Sequence, residues 1–165
     1  MGVPLHDAFA TPDSKRRYVR QLFATIADRY DLITAVLSYG QDARWKRTLI
    51  ERARLQRGER VLDLACGTGD IAFAAAAEGA RVVGLDLTYR MLQLAARKSN
   101  AAGLVAADMT SLPFGSRTFD VVTTGYGLRN VPDLNLAIDE IARVLRPGGR
   151  LLSLDFNRPQ PALIR

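Results

Sequence analysis

The 165 residues suffice for one ordinary domain, and 48% hydrophobic against 24% charged residues suit a packed globular core rather than a disordered chain. No apolar run approaches the roughly 20 residues that cross a bilayer, and the charges of Asp7, Asp13, Lys15, Arg16 and Arg17 leave no room for a signal-peptide core, so a cytoplasmic protein is expected. Cys66 is the sole cysteine and His6 the sole histidine, which excludes an internal disulfide and a zinc site.

The net charge of +6 is uneven: residues 1 to 60 hold twelve Lys or Arg against seven acids, and residues 61 to 165 hold eleven against ten. Scattered through helical segments, these cations read first as a solvated face, with weak contact to an anionic membrane surface as the second reading. No aromatic-interleaved basic motif is present, so no nucleic-acid partner is expected.

In chain order, Val19, Leu22, Phe23, Ile26, Tyr30 and Ile33 recur at three- and four-residue steps, predicting one amphipathic helix over about 15 to 37. A second helix is expected from about Asp42 to Leu55, with Trp45, Leu49 and Ile50 on its apolar side and Gly58 as its stop. Then the pattern changes. Val61 to Ala65 is a short apolar run closed by glycines, and an alanine-rich helix follows from Asp70 to about Glu78. The alternation continues with strands over 81 to 85, 104 to 107, 121 to 124 and 150 to 156, and with helices over 88 to 99 and 133 to 146. Such βαβ succession predicts a Rossmann-like α/β fold, a mostly parallel sheet with helices on both faces. Residues 1 to 57 read as an N-terminal helical cap on a unit spanning 58 to 165.

Ligands of such sheets bind at the carboxyl ends of the strands. There the first three strands carry Asp63 with Gly67, Thr68 and Gly69, then Asp86, then Asp108 with Met109, and Gly125 closes the fourth. The acids are 23 and 22 residues apart, about one βα unit each. Glycines at 67 and 69 allow a sharp turn and close backbone approach, and the helix beginning at Asp70 points its amides at the same place. Asp86 is placed to accept two ribose hydroxyls, and Asp108 an adenine amine with Met109 against the ring. Gly67, Gly69 and Ala72 also satisfy the G-x-G-x-x-A dinucleotide fingerprint. The discriminator is Asp63, whose carboxylate suits the cationic amino group of S-adenosylmethionine and has no evident partner beside a pyrophosphate.

The stretch VLDLACGTGD at 61 to 70 resembles the first motif of class I methyltransferases, with Ala65 where many members have glycine. Four further stretches resemble the UbiE/MenG quinone methyltransferases: VRQLFATIADRYDLITAVLSYGQDARWKR at 19 to 47, LPFGSRTFDVV at 112 to 122, GLRNV at 127 to 131 and RVLRPGGRLLSLDFNRP at 143 to 159. The last occurs widely among methyltransferases, whereas IADRYD and GLRNV are the specific segments. The resemblance implies a C-methyltransferase that uses S-adenosylmethionine on a polyprenylated quinol, in menaquinone or ubiquinone synthesis. Asp155 stands where the family usually has glutamate. The family also continues several tens of residues further, so the chain reads as a truncated form whose fifth strand is an open edge through which a homodimer could pair.

In this reading Tyr126, Arg129 and Asn130 orient the quinol oxygen, with Arg129 stabilising a phenolate. Equally, Arg129 and Asn130 can shape their loop through backbone hydrogen bonds. Tyr30 and Asp31 either close over the substrate or pack the cap. Trp45 reads as a packing anchor ahead of a quinone-stacking surface, and Cys66 as a small residue in a tight turn. Three alternatives stay open: a methyltransferase for another small molecule, a non-catalytic S-adenosylmethionine-binding module, and a nicotinamide-dependent oxidoreductase.

Overall fold

The structure, a computed structural model, describes residues 11 to 156; His6 and the stretch after Phe156 lie outside these described residues. Helix α1 spans Pro12–Ile26, opened by a capping box in which Thr11 and Ser14 bond reciprocally and Pro12 takes the first turn, where its missing N–H costs nothing. The chain tightens into a 3-10 turn at Ala27–Arg29 and resumes as α2, Tyr30–Leu37. One continuous helix over 15 to 37 is thus corrected to two helices joined by a tight turn, pinned where buried Ala27 sits. Periodicity could not show the break, because the apolar residues keep three- and four-residue spacing across it.

Helix α3 (Asp42–Ala53) ends two residues before the expected limit, with Arg54 in the left-handed conformation; Gly58 serves the following turn instead. Then come β1 (Arg60–Leu64), α4 (Asp70–Ala77), β2 (Arg81–Asp86), α5 (Tyr89–Lys98), β3 (Gly103–Ala106) and β4 (Phe119–Gly125). A 3-10 turn at Leu128–Asn130 leads to α6 (Leu134–Val144), capped by the Asp133 carboxylate, and to β5 (Leu145–Leu154). In β5 the pairing slips: Leu145 stands opposite Phe119 but Arg150 opposite Val121, so the Pro147-Gly148-Gly149 turn is a bulge inside the strand.

All five strands are parallel in the order β3-β2-β1-β4-β5. Both faces are covered, as parallel sheets require. On one, Leu49 and Ile50 of α3 and Ile71, Ala72 and Ala75 of α4 pack on Val61, Val82 and Val121. On the other, Ala137, Ile141 and Val144 of α6 pack on Leu62, Leu64, Leu85 and Val122. The period of two along β1 and β4 sends successive residues to opposite cores. Alanines in α4 bring that helix close to the sheet. The order reverses between β1 and β4, the switch point where a crevice opens at the carboxyl ends. Among the described residues no helix is long and apolar enough to cross a membrane.

Candidate functional site

The crevice is an open cleft lined by Gly67, Asp86, Asp108, Met109, Gly125 and Tyr126 from the sheet side. Arg16, Val19 and Phe23 of α1 and Tyr30 of α2 line it from the cap. A smaller pocket shares Tyr30, Gly67, Gly125 and Tyr126 with the cleft and adds Lys46, Asp63, Thr68 and Asp70. Thus nine of the eleven residues expected at the site line one of these two spaces, Gly69 and Arg129 being the exceptions.

The loop after β1 owes its path to backbone freedom. Gly69 has φ +91°, and a Cβ there would stand 2.4 Å from the Phe73 ring. We therefore expect Gly69→Ala to cost about 1 to 3 kcal/mol, read as a lower urea midpoint. Ala65 (φ 52°) and Tyr126 (φ 60°) also adopt the left-handed conformation, in which side chains are strained, and both line the cleft. That φ supplies a physical reason for glycine at position 65 in many methyltransferases. At Gly125 a Cβ would meet the Ile71 Cδ1 methyl at 2.7 Å, so a side chain there would require that methyl to move.

Asp63 is 1% exposed. Its Oδ1 accepts a 2.7 Å hydrogen bond from the Thr123 hydroxyl on neighbouring β4, and its Oδ2 is buried with no partner. Burial pushes its pKa up to about 7, against the Thr123 hydroxyl, the Ala72 amide and the Lys46 charge, which lower it. Asp86 accepts from the Gly67 N–H at 2.8 Å and the Thr88 N–H at 2.7 Å, one per carboxylate oxygen. Each oxygen retains a further lone pair for a hydroxyl. Burial raises the Asp86 pKa and the two amides oppose it.

Asp108 is more engaged than its position in the sequence suggested. Its Oδ1 accepts from the Thr110 amide and hydroxyl, and its Oδ2 pairs with Arg16 Nε at 2.5 Å. One acceptor direction remains on Oδ2. Arg16 was invisible as a site residue, since 92 positions separate it from Asp108.

Past β4 the candidates divide. Tyr126 stacks on Phe156 with centroids 5.0 Å apart, and Trp45 meets Phe156 edge-on at 5.7 Å. The Arg129 guanidinium lies over both stacked rings, 5.4 Å from Tyr126 and 5.2 Å from Phe156, and pairs with Asp155 at 3.4 Å. Asn130 donates to the Tyr126 carbonyl at 3.1 Å, a bond that shapes the loop while the residue still lines the cleft. Trp45 packs against an aromatic neighbour, as an anchor does. Asp31 turns to the sheet: it accepts from the Thr68 hydroxyl at 2.7 Å and pairs with Lys98 at 2.7 Å, so it ties cap to core. The Cys66 thiol is buried, and that desolvation pushes its pKa up, which suits a packing residue rather than a nucleophile. Among the described residues no three metal-ligating side chains converge.

Sheet order, helices on both faces and an acid-lined crevice at the switch point define a Rossmann-like class I methyltransferase fold. The phosphoethanolamine N-methyltransferase 2 of Haemonchus contortus in complex with S-adenosyl-L-methionine superposes with a TM-score of 0.61 at 29% identity, over 66% of this chain and 27% of that one. Residues 11–165 match the model of the ubiE/COQ5 methyltransferase family, and the chain belongs to that family. The demethylmenaquinone methyltransferase of Thermus thermophilus is 46% identical over 144 residues, 84% of this chain, and that of Mycobacterium marinum 44% identical over 154 residues, 93% of this chain. The chain spans 66% of the length of each of these two relatives.

Proposed function

We propose that this chain binds S-adenosylmethionine and serves a quinol C-methyltransferase, with demethylmenaquinol as acceptor and the ubiquinone-pathway benzoquinol as the second candidate. The observation that carries the cofactor reading is the orphaned Asp63 Oδ2, a buried acceptor inside a pocket continuous with the Asp86 cleft. An ammonium answers that acceptor, whereas a pyrophosphate would face it with like charge, which disfavours the dinucleotide reading. Asp86 would take the ribose hydroxyls, and Asp108 with Met109 the adenine. Thr68 and the glycines would give the backbone approach.

When bound, the cofactor supplies a methyl group already activated by its sulfonium, so the protein's part is placement. Tyr126 and Gly125 line both spaces and so stand where adenosine and amino-acid ends would join. Tyr126, Arg129 and Asn130 are proposed to orient the quinol oxygen, and the Arg129 guanidinium to favour its ionised form, which enriches the accepting carbon. Val19 and Phe23 exclude water from above.

Calorimetric titration with S-adenosylmethionine beside a turnover assay with demethylmenaquinol tests the reading. Binding with turnover supports it, binding without turnover supports a cofactor-binding module, and no binding overturns it. Other small acceptors, tried in the same assay, test the narrower claim about the quinol.

Membrane contact belongs to the same proposal, because a polyprenyl tail resides in lipid. Arg17, Arg20, Arg29, Arg44 and Arg47 are exposed in the cap, as are Leu32, Val36, Leu37 and Tyr39. Each cation near an anionic surface contributes on the order of 1 kcal/mol and is screened within about a Debye length. Flotation with anionic vesicles is expected at low salt and lost at high salt. Flotation that persists at high salt would mean insertion of the apolar residues instead.

A further inference from the structure

Beside Asp63, the smaller pocket holds a cation that the foregoing reading leaves without a task. Lys46, on α3, is part of its wall although its side chain is only 14% exposed. The ammonium pairs with Asp42, one turn earlier on the same helix, at 2.6 Å and with Asp70, in the first turn of α4, at 2.9 Å. Burial alone would favour the neutral amine, but the bonds to Asp42 and Asp70 outweigh it and raise the pKa, so the cation is permanent. An ammonium has three N–H donors, and these two partners use two of them. That leaves a third donor for an occupant of the pocket whose wall Lys46 helps to form.

What surrounds that donor is equally incomplete. Asp63 Oδ2, Asp42 Oδ1 and the Tyr126 hydroxyl are all buried and have no hydrogen-bond partner. Desolvation raises the Tyr126 pKa, and the neighbouring Asp42 carboxylate raises it further, so the hydroxyl keeps its proton and can donate. Buried polar groups are ordinarily paired; Asp42 stands beside the Tyr126 hydroxyl, whereas Asp63 shares the wall of the small pocket with Lys46 and leaves Oδ2 for a polar occupant. The occupant must offer a cation to Asp63 and an anion to Lys46 within one small volume. An α-amino acid group, with ammonium and carboxylate on one carbon, meets that requirement. A phosphate does not, because it brings no cation for Asp63.

We propose that Lys46 receives the carboxylate of the cofactor's amino-acid end, opposite Asp63 at its ammonium. The inference rests on the S-adenosylmethionine reading and extends it to a residue of the helical cap. The cofactor would then bridge the cap and the sheet, α3 holding its carboxylate and β1 its ammonium.

The test is calorimetric titration of the parent, Lys46→Met and Lys46→Arg with three probes. S-adenosylhomocysteine carries the whole amino-acid end, its decarboxylated analogue lacks only the carboxylate, and methylthioadenosine lacks the end altogether. The parent is expected to prefer S-adenosylhomocysteine to the decarboxylated analogue by about tenfold or more, the scale of a charge-assisted bond in a desolvated pocket. Lys46→Met should abolish that preference while leaving methylthioadenosine within about twofold, and Lys46→Arg should restore part of it. Equal affinity of the parent for the first two probes overturns the proposal without any variant. So does a loss in Lys46→Met that is uniform across all three probes, which would mark Lys46 as a pin between α3 and α4. If the parent binds methylthioadenosine but neither probe with the amino end, the pocket assignment fails while the adenosine cleft stands. If none of the three binds, the cofactor reading falls and this proposal with it.

Discussion

Asp86→Ala is expected to lower affinity for S-adenosylhomocysteine by roughly ten- to hundredfold or more, about 1.5 to 3 kcal/mol, because it removes a charged acceptor for two hydroxyls. The structure adds a second route to the same loss. Asp86 accepts the Gly67 and Thr88 amides, so its truncation also frees the loop that must approach the ligand. Asp86→Asn separates the two effects: it keeps one carbonyl acceptor, yet its amide group cannot accept from the second N–H. Calorimetry on both variants, with thermal melts to show that they fold, measures the contributions. An alanine variant within twofold of the parent would contradict the assignment of Asp86 to the ribose.

The second large effect is a dependence on pH. In the ligand-free protein Asp63 has its pKa raised to about 7, first by burial, with the Thr123 hydroxyl, the Ala72 amide and Lys46 lowering it and Asp86 raising it. The folded state therefore holds a proton between about pH 4 and 7 that the unfolded chain has released. Stability contributed by this group is greatest at acid pH and falls, by at most about 1.4 kcal/mol per pH unit, as pH rises through that window. A ligand ammonium on Oδ2 reverses the preference, since it needs the carboxylate. Affinity for S-adenosylhomocysteine should thus rise about tenfold between pH 6 and 8 in the parent. In Asp63→Asn it should be weaker and nearly flat over that range. A parallel rise in the asparagine variant would place the titrating group elsewhere.

Much of this arrangement is legible in the sequence, for definite reasons. Val61 to Leu64 and Val121 to Thr124 are dense in apolar and β-branched residues and bounded by glycine, and both lie in central strands. Asp63, Asp86 and Asp108 fall one βα unit apart, and a parallel sheet brings such residues to one edge whatever the helices do. What sequence could not supply depends on how the cap meets that edge. Asp42 and Lys46 read as an ordinary pair one turn apart on a helix, and only the packing of α3 against α4 brings Asp70 to the same ammonium. The Thr123 hydroxyl under Asp63 is set by the register between β1 and β4, which pairs those two residues. Phe156 and Tyr126 meet because β5 lies beside β4.

Helix α1 has no fully buried residue, although Val19 and Phe23 form part of the roof of the cleft. Lys15, donating to the Val131 carbonyl at 2.5 Å, and Arg16 on Asp108 are its polar tethers to the sheet side. Little apolar surface opposes its release, so it belongs at the low end of the molecule's ladder of local stability, while β1 and β4 sit at the top. In hydrogen-exchange terms the amides of α1 are expected to open without global unfolding, the roof lifting while the sheet stays shut. Under the proposed cofactor reading an adenine amine arriving at Asp108 would share Oδ2 with Arg16. In the proposed site the tether that holds the roof down would thus be anchored on the atom where the ligand docks, and exchange of the ligand would be a local event confined to one helix.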